Sequence, residues 1–155
     1  MSGGSNLTLG PGTYIIDRGA FNITGGSSVT ANGATIILTS STGAGYATAS
    51  ISGGANVNIS APTSGSTAGL AFFQDRNAPT NGTDSFTGGA TQNITGAIYF
   101  PSQSVSFSGG SATGGVGCTQ LIAYKISFSG GSHFNNNCAG TGVRGIGSAL
   151  VQIVE

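Results

Sequence analysis

Short runs along the chain alternate apolar and small polar residues with period two. Ser104-Val105-Ser106-Phe107-Ser108, Lys125-Ile126-Ser127-Phe128-Ser129 and Asn56-Val57-Asn58-Ile59-Ser60 each predict a strand with one face inward and the other in solvent. The runs are short, rich in β-branched and aromatic residues, and bounded by Gly, Asn and Ser, as strands should be.

The runs repeat. Ser106-Phe107-Ser108-Gly109-Gly110-Ser111 recurs unchanged as Ser127-Phe128-Ser129-Gly130-Gly131-Ser132, 21 residues later. Asn22-Ile23-Thr24-Gly25-Gly26 answers to Ser50-Ile51-Ser52-Gly53-Gly54 at an offset of 28, and Gly88-Gly89 precedes Gly109-Gly110 by 21. From Gly25 to Gly130 the Gly-Gly pairs step by 28, 35, 21 and 21 residues. A basic period of 21 leaves 7 and 14 extra residues, assigned to insertions near 41–48 and 74–85.

Periods of this size mark solenoids. The reading is a right-handed parallel β-helix of about seven rungs, with Gly-Gly corners where positive φ has no steric cost. At one strand spacing per rung the rod is on the order of 35 Å long. The alternative is an antiparallel β-sandwich, which also uses many short strands. Two-residue hairpin signals are few, however: Asn-Gly occurs only at Asn32-Gly33 and Asn81-Gly82.

Composition narrows the function. Only 8 of 155 residues are Lys, Arg, Asp or Glu, about 5% against a usual quarter, so no basic surface exists to neutralise nucleic-acid phosphates. Gly (29), Ser (21), Thr (18) and Asn (11) form about half the chain, which excludes a helical bundle. Leu, Ile, Val and Phe still total 34, enough to pack a core, so disorder is not the reading. The longest apolar runs, such as Leu70 to Phe73, Ala97 to Phe100 and Leu121 to Tyr124, are too short to cross a bilayer. Residues 1–5 read as a flexible leading end without a secretory signal, and 6–155 as a single domain.

Cys118 and Cys138, with His133 the sole imidazole, cannot complete a four-ligand zinc site. They are either two buried thiols or a disulfide. Both follow a Gly-Gly corner at nearly the same phase of adjacent rungs, which favours a one-rung staple and an oxidising, extracytoplasmic location.

Several blocks carry a resemblance: Ala61-Pro62-Thr63-Ser64-Gly65, Phe72-Phe73-Gln74-Asp75-Arg76, Gly96-Ala97-Ile98-Tyr99-Phe100-Pro101, Cys118-Thr119-Gln120-Leu121-Ile122-Ala123 and Leu150-Val151-Gln152-Ile153-Val154-Glu155. In this order, with the opening Leu9-Gly10-Pro11-Gly12-Thr13-Tyr14, the chain resembles the C-terminal glycine-rich region of TadE/TadG-like proteins. That family is linked to tight-adherence (Flp) pilus assembly, mainly in alphaproteobacteria. The resemblance implies an extracytoplasmic bacterial envelope segment whose longer form has an N-terminal membrane anchor. It brings no catalytic residues.

The residues themselves offer little chemistry. The carboxylates are Asp17, Asp75, Asp84 and Glu155, of which only Asp75 and Asp84 are close in sequence. Paired acid and base carboxylates, the requirement for polysaccharide cleavage, are therefore not expected. Nor does a Gly-x-Ser-x-Gly elbow occur. Asp75-Arg76 reads as an ion pair anchoring a loop, or as a recognition patch for a partner or glycan. Asn135-Asn136-Asn137 reads as an amide ladder on a corner. Regular threonine ladders would suggest ice binding, but Thr-x-Thr is absent.

The expectation is a non-enzymatic envelope or extracellular structural domain: a rigid spacer, adhesion or self-assembling module with no cofactor and no metal. Its partners would be envelope proteins or further copies of itself, without nucleic acid and without membrane contact from this segment. End-to-end assembly would use Leu7, Leu9, Tyr14 and Ile16 at one end and Leu150, Val151 and Ile153 at the other. The alternative is a carbohydrate-binding or polysaccharide-degrading β-helix protein using Gln74, Asp75, Arg76 and Asp84.

Overall fold

The computed structural model describes residues 1–87, 91–109, 112–113, 118–132 and 136–137. They are all β, with no helix among them. The strands are β1 (Asn6–Leu9), β2 (Gly12–Asp17), β3 (Ala20–Ile23), β4 (Ser28–Asn32), β5 (Ala34–Thr39), β6 (Thr48–Ile51), β7 (Asn56–Ser60), β8 (Leu70–Gln74), β9 (Thr83–Thr87), β10 (Thr91–Ser108), β11 (Ala112–Thr113) and β12 (Thr119–Phe128).

Among the described residues every pairing between named strands is parallel, the isolated bridge of Cys118 with Asn136 being antiparallel, and this removes the antiparallel sandwich. Three ladders run side by side in one curled sheet. The first face stacks β1, β4, β7, the start of β10 and β11. The second stacks β2, β5, β8, the middle of β10 and β12. The third stacks β3, β6, β9 and the ends of β10 and β12. The described chain thus makes five passes over these faces, the fifth reached by β11 and β12. The seven rungs expected from a uniform period of 21 are not shown: the described residues hold five passes, because the second and third run to 28 and 35 residues.

Register follows the Gly-Gly spacing. Ser28 pairs with Asn56, 28 positions on; Ser50 with Ser85, 35 on; Phe86 with Phe107, and Phe107 with Phe128, each 21 on. The extra residues of the third pass lie in two connections rather than one: residues 61–69 between β7 and β8, and 75–82 between β8 and β9. Residues 40–47 link β5 to β6.

The core is a set of ladders of like residues. On the first face Val29 and Val57 stack, and so do Ala31, Ile59 and their neighbour Ile94. On the third, Phe86, Phe107 and Phe128 form a near-parallel ring column with centroids 4.9 and 5.2 Å apart. Phe72 sits in the middle, edge-on to Phe21 and Phe86. Outside, the third face carries columns of hydroxyls: Ser50, Ser85, Ser106 and Ser127 are register partners, and Ser85 and Ser50 Oγ atoms lie 3.3 Å apart.

Corners explain the glycines. Gly53 has φ +62°, and a Cβ there would sit 2.9 Å from Thr24 Oγ1 and 3.0 Å from Gly25 N. Gly96, between the first and second faces, has φ +129°, and a Cβ would come within 2.6 Å of Ala61 Cβ. Neither position admits another residue without displacement. The leading residues are tied in rather than loose: Thr24 N donates to Met1 O at 3.0 Å, and Gly4 N to Gly25 O at 3.0 Å.

Candidate functional site

The second face departs from simple alternation because both residues of each apolar pair are large. Tyr14, Ile36, Phe72, Ile98 and Leu121 point toward the core. Their neighbours Ile15, Ile37, Phe73, Tyr99 and Ile122 are register partners on the outer side. A stripe of five apolar side chains therefore climbs the outside of this face. Ile15 at its end is 64% exposed.

At the middle of the stripe, Phe73 and Tyr99 stack with centroids 5.4 Å apart and planes 16° from parallel. The two inserted connections of the third pass flank this step. Segment 61–69 closes on itself through Gly69 N to Pro62 O at 2.8 Å and brings Ala68 alongside Leu70. Segment 75–82 brings Arg76, whose guanidinium carbon lies 5.5 Å from the Tyr99 ring centre. Ala68, Leu70, Phe73, Arg76 and Tyr99 line a shallow groove of about 270 Å³.

The expected interaction loop divides. Asp75 and Arg76 reach solvent, but they do not pair with each other. Asp75 accepts from Thr39 Oγ1 at 2.7 Å and from Asn77 N at 2.9 Å, and the Asn77 N–H foremost, then the Thr39 hydroxyl, hold its carboxyl below the usual range. Among the described residues the ion pair is Arg18 with Asp17, at 3.7 Å. Gln74 and Asp84 are fully buried and face the core. Gln74 Nε2 donates to Ala47 O at 3.0 Å, and Asp84 Oδ1 accepts from Ala49 N at 2.6 Å. Asp84 Oδ2 has no partner, and burial pushes this carboxyl up to about 6. These two are inward-facing strand residues of β8 and β9, not the interaction-loop residues that the sequence suggested. The signal lay in parity: Asp84 shares it with Phe86, and Gln74 with Phe72.

The carboxylates are dispersed. Asp17 and Asp75 stand on either side of Thr39 in one outer column, two strand spacings or roughly 10 Å apart. Asp17 accepts from Ser41 Oγ at 2.7 Å and Ser41 N at 2.8 Å, which lowers its pKa, as the bonds to Asp75 do there. Glu155 and His133 lie outside the described residues.

Of the end-to-end residues, Leu7, Leu9, Tyr14 and Ile16 are partly buried against the core. With Met1, Phe21, Ile23 and Ile36 they line an apolar depression of about 230 Å³ at the first pass. Leu150, Val151 and Ile153 lie outside the described residues, as does Cys138. Cys118 is fully buried at the start of β12, opposite Asn136. Among the described residues no group of three or more His, Cys, Asp or Glu side chains is placed to hold a metal, and no helix is long and apolar enough to cross a membrane.

Comparison with known proteins finds no matching family model, no matching curated protein and no matching solved structure.

Proposed function

We propose that the curled parallel sheet is a β-helix serving as a rigid, non-enzymatic shaft in the bacterial cell envelope, as the resemblance to TadE/TadG-like pilus-assembly proteins implies. The observation that carries this reading is the stacking of residues one pass apart in three parallel ladders, 28, 35 and 21 positions apart on the third face. Each pass hydrogen-bonds the next, so bending the shaft breaks backbone bonds on several faces at once.

Catalysis fits the carboxylates poorly. Asp17 and Asp75 are spaced near the range of an inverting glycosidase pair. A general acid must hold its proton near neutral pH, whereas hydrogen bonds keep both of these ionised. The one carboxyl with a raised pKa, Asp84, is sealed in the core.

Among the described residues no strand covers the outer side of β1 and β2, Met1 alone bonds the outer side of β3 at Asn22 and Thr24, and the Leu7, Leu9, Tyr14 and Ile16 end of the core is exposed. This favours end-to-end joining of copies, since an unpaired strand edge over an apolar patch is a template for added strands. A Cys118–Cys138 staple belongs to the same extracytoplasmic reading.

In the parent bacterium, deleting the coding region for this segment should reduce surface pili, and an epitope placed at Asn81-Gly82 should be reached by antibody outside the inner membrane. Normal piliation together with a cytoplasmic epitope overturns the reading. Sedimentation velocity across a hundredfold concentration range tests joining, which a strictly monomeric species contradicts.

A further inference from the structure

The third pass is the longest, and its two insertions meet at one place. In a solenoid, insertions collect as loops on the face that binds. Here Ala68 from one insertion and Arg76 from the other wall the groove whose floor is Leu70, Phe73 and Tyr99. The loop bearing Arg76 is fixed: Asp75 N donates to Leu38 O at 2.9 Å, Ala78 N to Asp75 O at 3.1 Å, and Ser102 Oγ to Arg76 O at 2.7 Å. Its position is set before any ligand arrives, which lowers the cost of binding.

Charge selects the ligand. Asp75, the adjacent carboxylate, is engaged by Thr39 and Asn77, and the Arg76 guanidinium lies over Tyr99 instead. A planar cation with five donors is thus left at the rim of an apolar, aromatic groove. Its complement is a carboxylate carried on a ring with an apolar face. Beyond the groove the apolar stripe continues to Ile37 and Ile15 on one side and Ile122 on the other, at one strand spacing per step.

A peptide added as a further β-strand would need backbone partners, and the backbone under this stripe is already committed to the ladders on both sides. Recognition here must come from side chains, through ring stacking and a guanidinium fork. We infer that the Arg76–Tyr99–Phe73 groove binds acidic polysaccharide, specifically a uronic acid residue, with Arg76 on the carboxylate and the aromatic pair against the sugar ring. The site does not depend on pilus assembly or on end-to-end joining.

The test is titration calorimetry of the intact chain with tetragalacturonate, its fully methyl-esterified form, tetraglutamate and sodium acetate. The free acid should bind saturably, and the ester at least about tenfold more weakly, as expected for losing a charge-assisted hydrogen-bonded pair. Arg76→Gln should weaken the acid by a similar factor with an unchanged melting temperature, Arg76→Lys by less, and Tyr99→Leu should weaken acid and ester alike. Absence of binding at millimolar tetragalacturonate, equal binding of acid and ester, full binding by Arg76→Gln, or equal affinity for tetraglutamate or acetate overturns the inference. None of these outcomes bears on the piliation and location experiments.

Discussion

Asp84 makes the stability of this protein depend on pH in an unusual direction. Its carboxyl is fully buried between β6 and β10, with one hydrogen bond from Ala49 N and a second oxygen unpartnered. Burial moves its pKa from 3.8 to about 6. The folded state therefore binds this proton more tightly than the unfolded chain, and stability falls as pH rises through the window from about 4 to about 6. A shift of roughly two units at 1.36 kcal/mol each makes the ionised form cost about 3 kcal/mol at pH 7. Against a total stability of about 5–15 kcal/mol, that is large. Asp84→Asn keeps the acceptor for Ala49 N and removes the ionisation. Urea unfolding from pH 4 to pH 8 should show the wild type losing about 2–3 kcal/mol on going up in pH, while Asp84→Asn stays flat and gains about that much at pH 7. Asp17 and Asp75, whose pKa values are lowered, withdraw stability only as pH falls through and below the ordinary carboxylate range, so the two effects separate. A wild type that gains stability from pH 4 to pH 7, or an Asp84→Asn variant with the same slope as wild type, refutes the reasoning.

Gly53→Ala should cost more than about 2 kcal/mol by urea unfolding, since it adds the Thr24 and Gly25 clash to the positive-φ penalty; Gly26→Ala, at φ +71° with open space around it, should cost only about 1–2 kcal/mol. Equal losses at the two positions would remove the inter-pass contact from the account. Phe86→Ala, at the end of the ring column where it is buried between the edge-on Phe72 and the stacked Phe107, should lose about 3–5 kcal/mol, and a loss below about 1 kcal/mol would mean that the column is not packed in solution. Intact mass without reductant should be two hydrogens below the reduced mass if Cys118 and Cys138 are joined, and reduction should then cost about 3 kcal/mol for a loop of this length. An unchanged mass removes the staple.

Much of the architecture was legible because glycine pairs recur along the chain with its period: the third-face ladder steps by the same 28, 35 and 21 residues as Gly25, Gly53, Gly88, Gly109 and Gly130 do in sequence. The identical hexapeptides place Phe107 and Phe128 on one column, and their rings stack. The connection at 61–69 carries no distinguishing signal, because its Pro, Ser, Thr and Gly look like the rest of the chain, and the sequence therefore points to the charged segment 74–85 alone. Polarity misled at Gln74 and Asp84, whose parity with Phe72 and Phe86 outranks their chemistry in deciding which way they face. The groove had a visible cue. Ile15-Ile16, Ile36-Ile37-Leu38, Phe72-Phe73 and Ile98-Tyr99-Phe100 are apolar at both parities, which an ordinary half-buried strand is not. What sequence did not reveal is that these pairs share one face, so that their outer members line up in one stripe with Tyr99 beneath Arg76.

The most direct measurement is a nuclear Overhauser spectrum of the labelled protein read at the third face. Coiling with these registers puts the rings of Phe86, Phe107 and Phe128 in mutual sequence, with cross-peaks from Phe107 to both of the others and between the backbones of Ser85, Ser106 and Ser127. Cross-peaks from Phe107 confined to residues near it in sequence, or connecting it to an antiparallel neighbour, would contradict the fold and the rigid shaft built upon it.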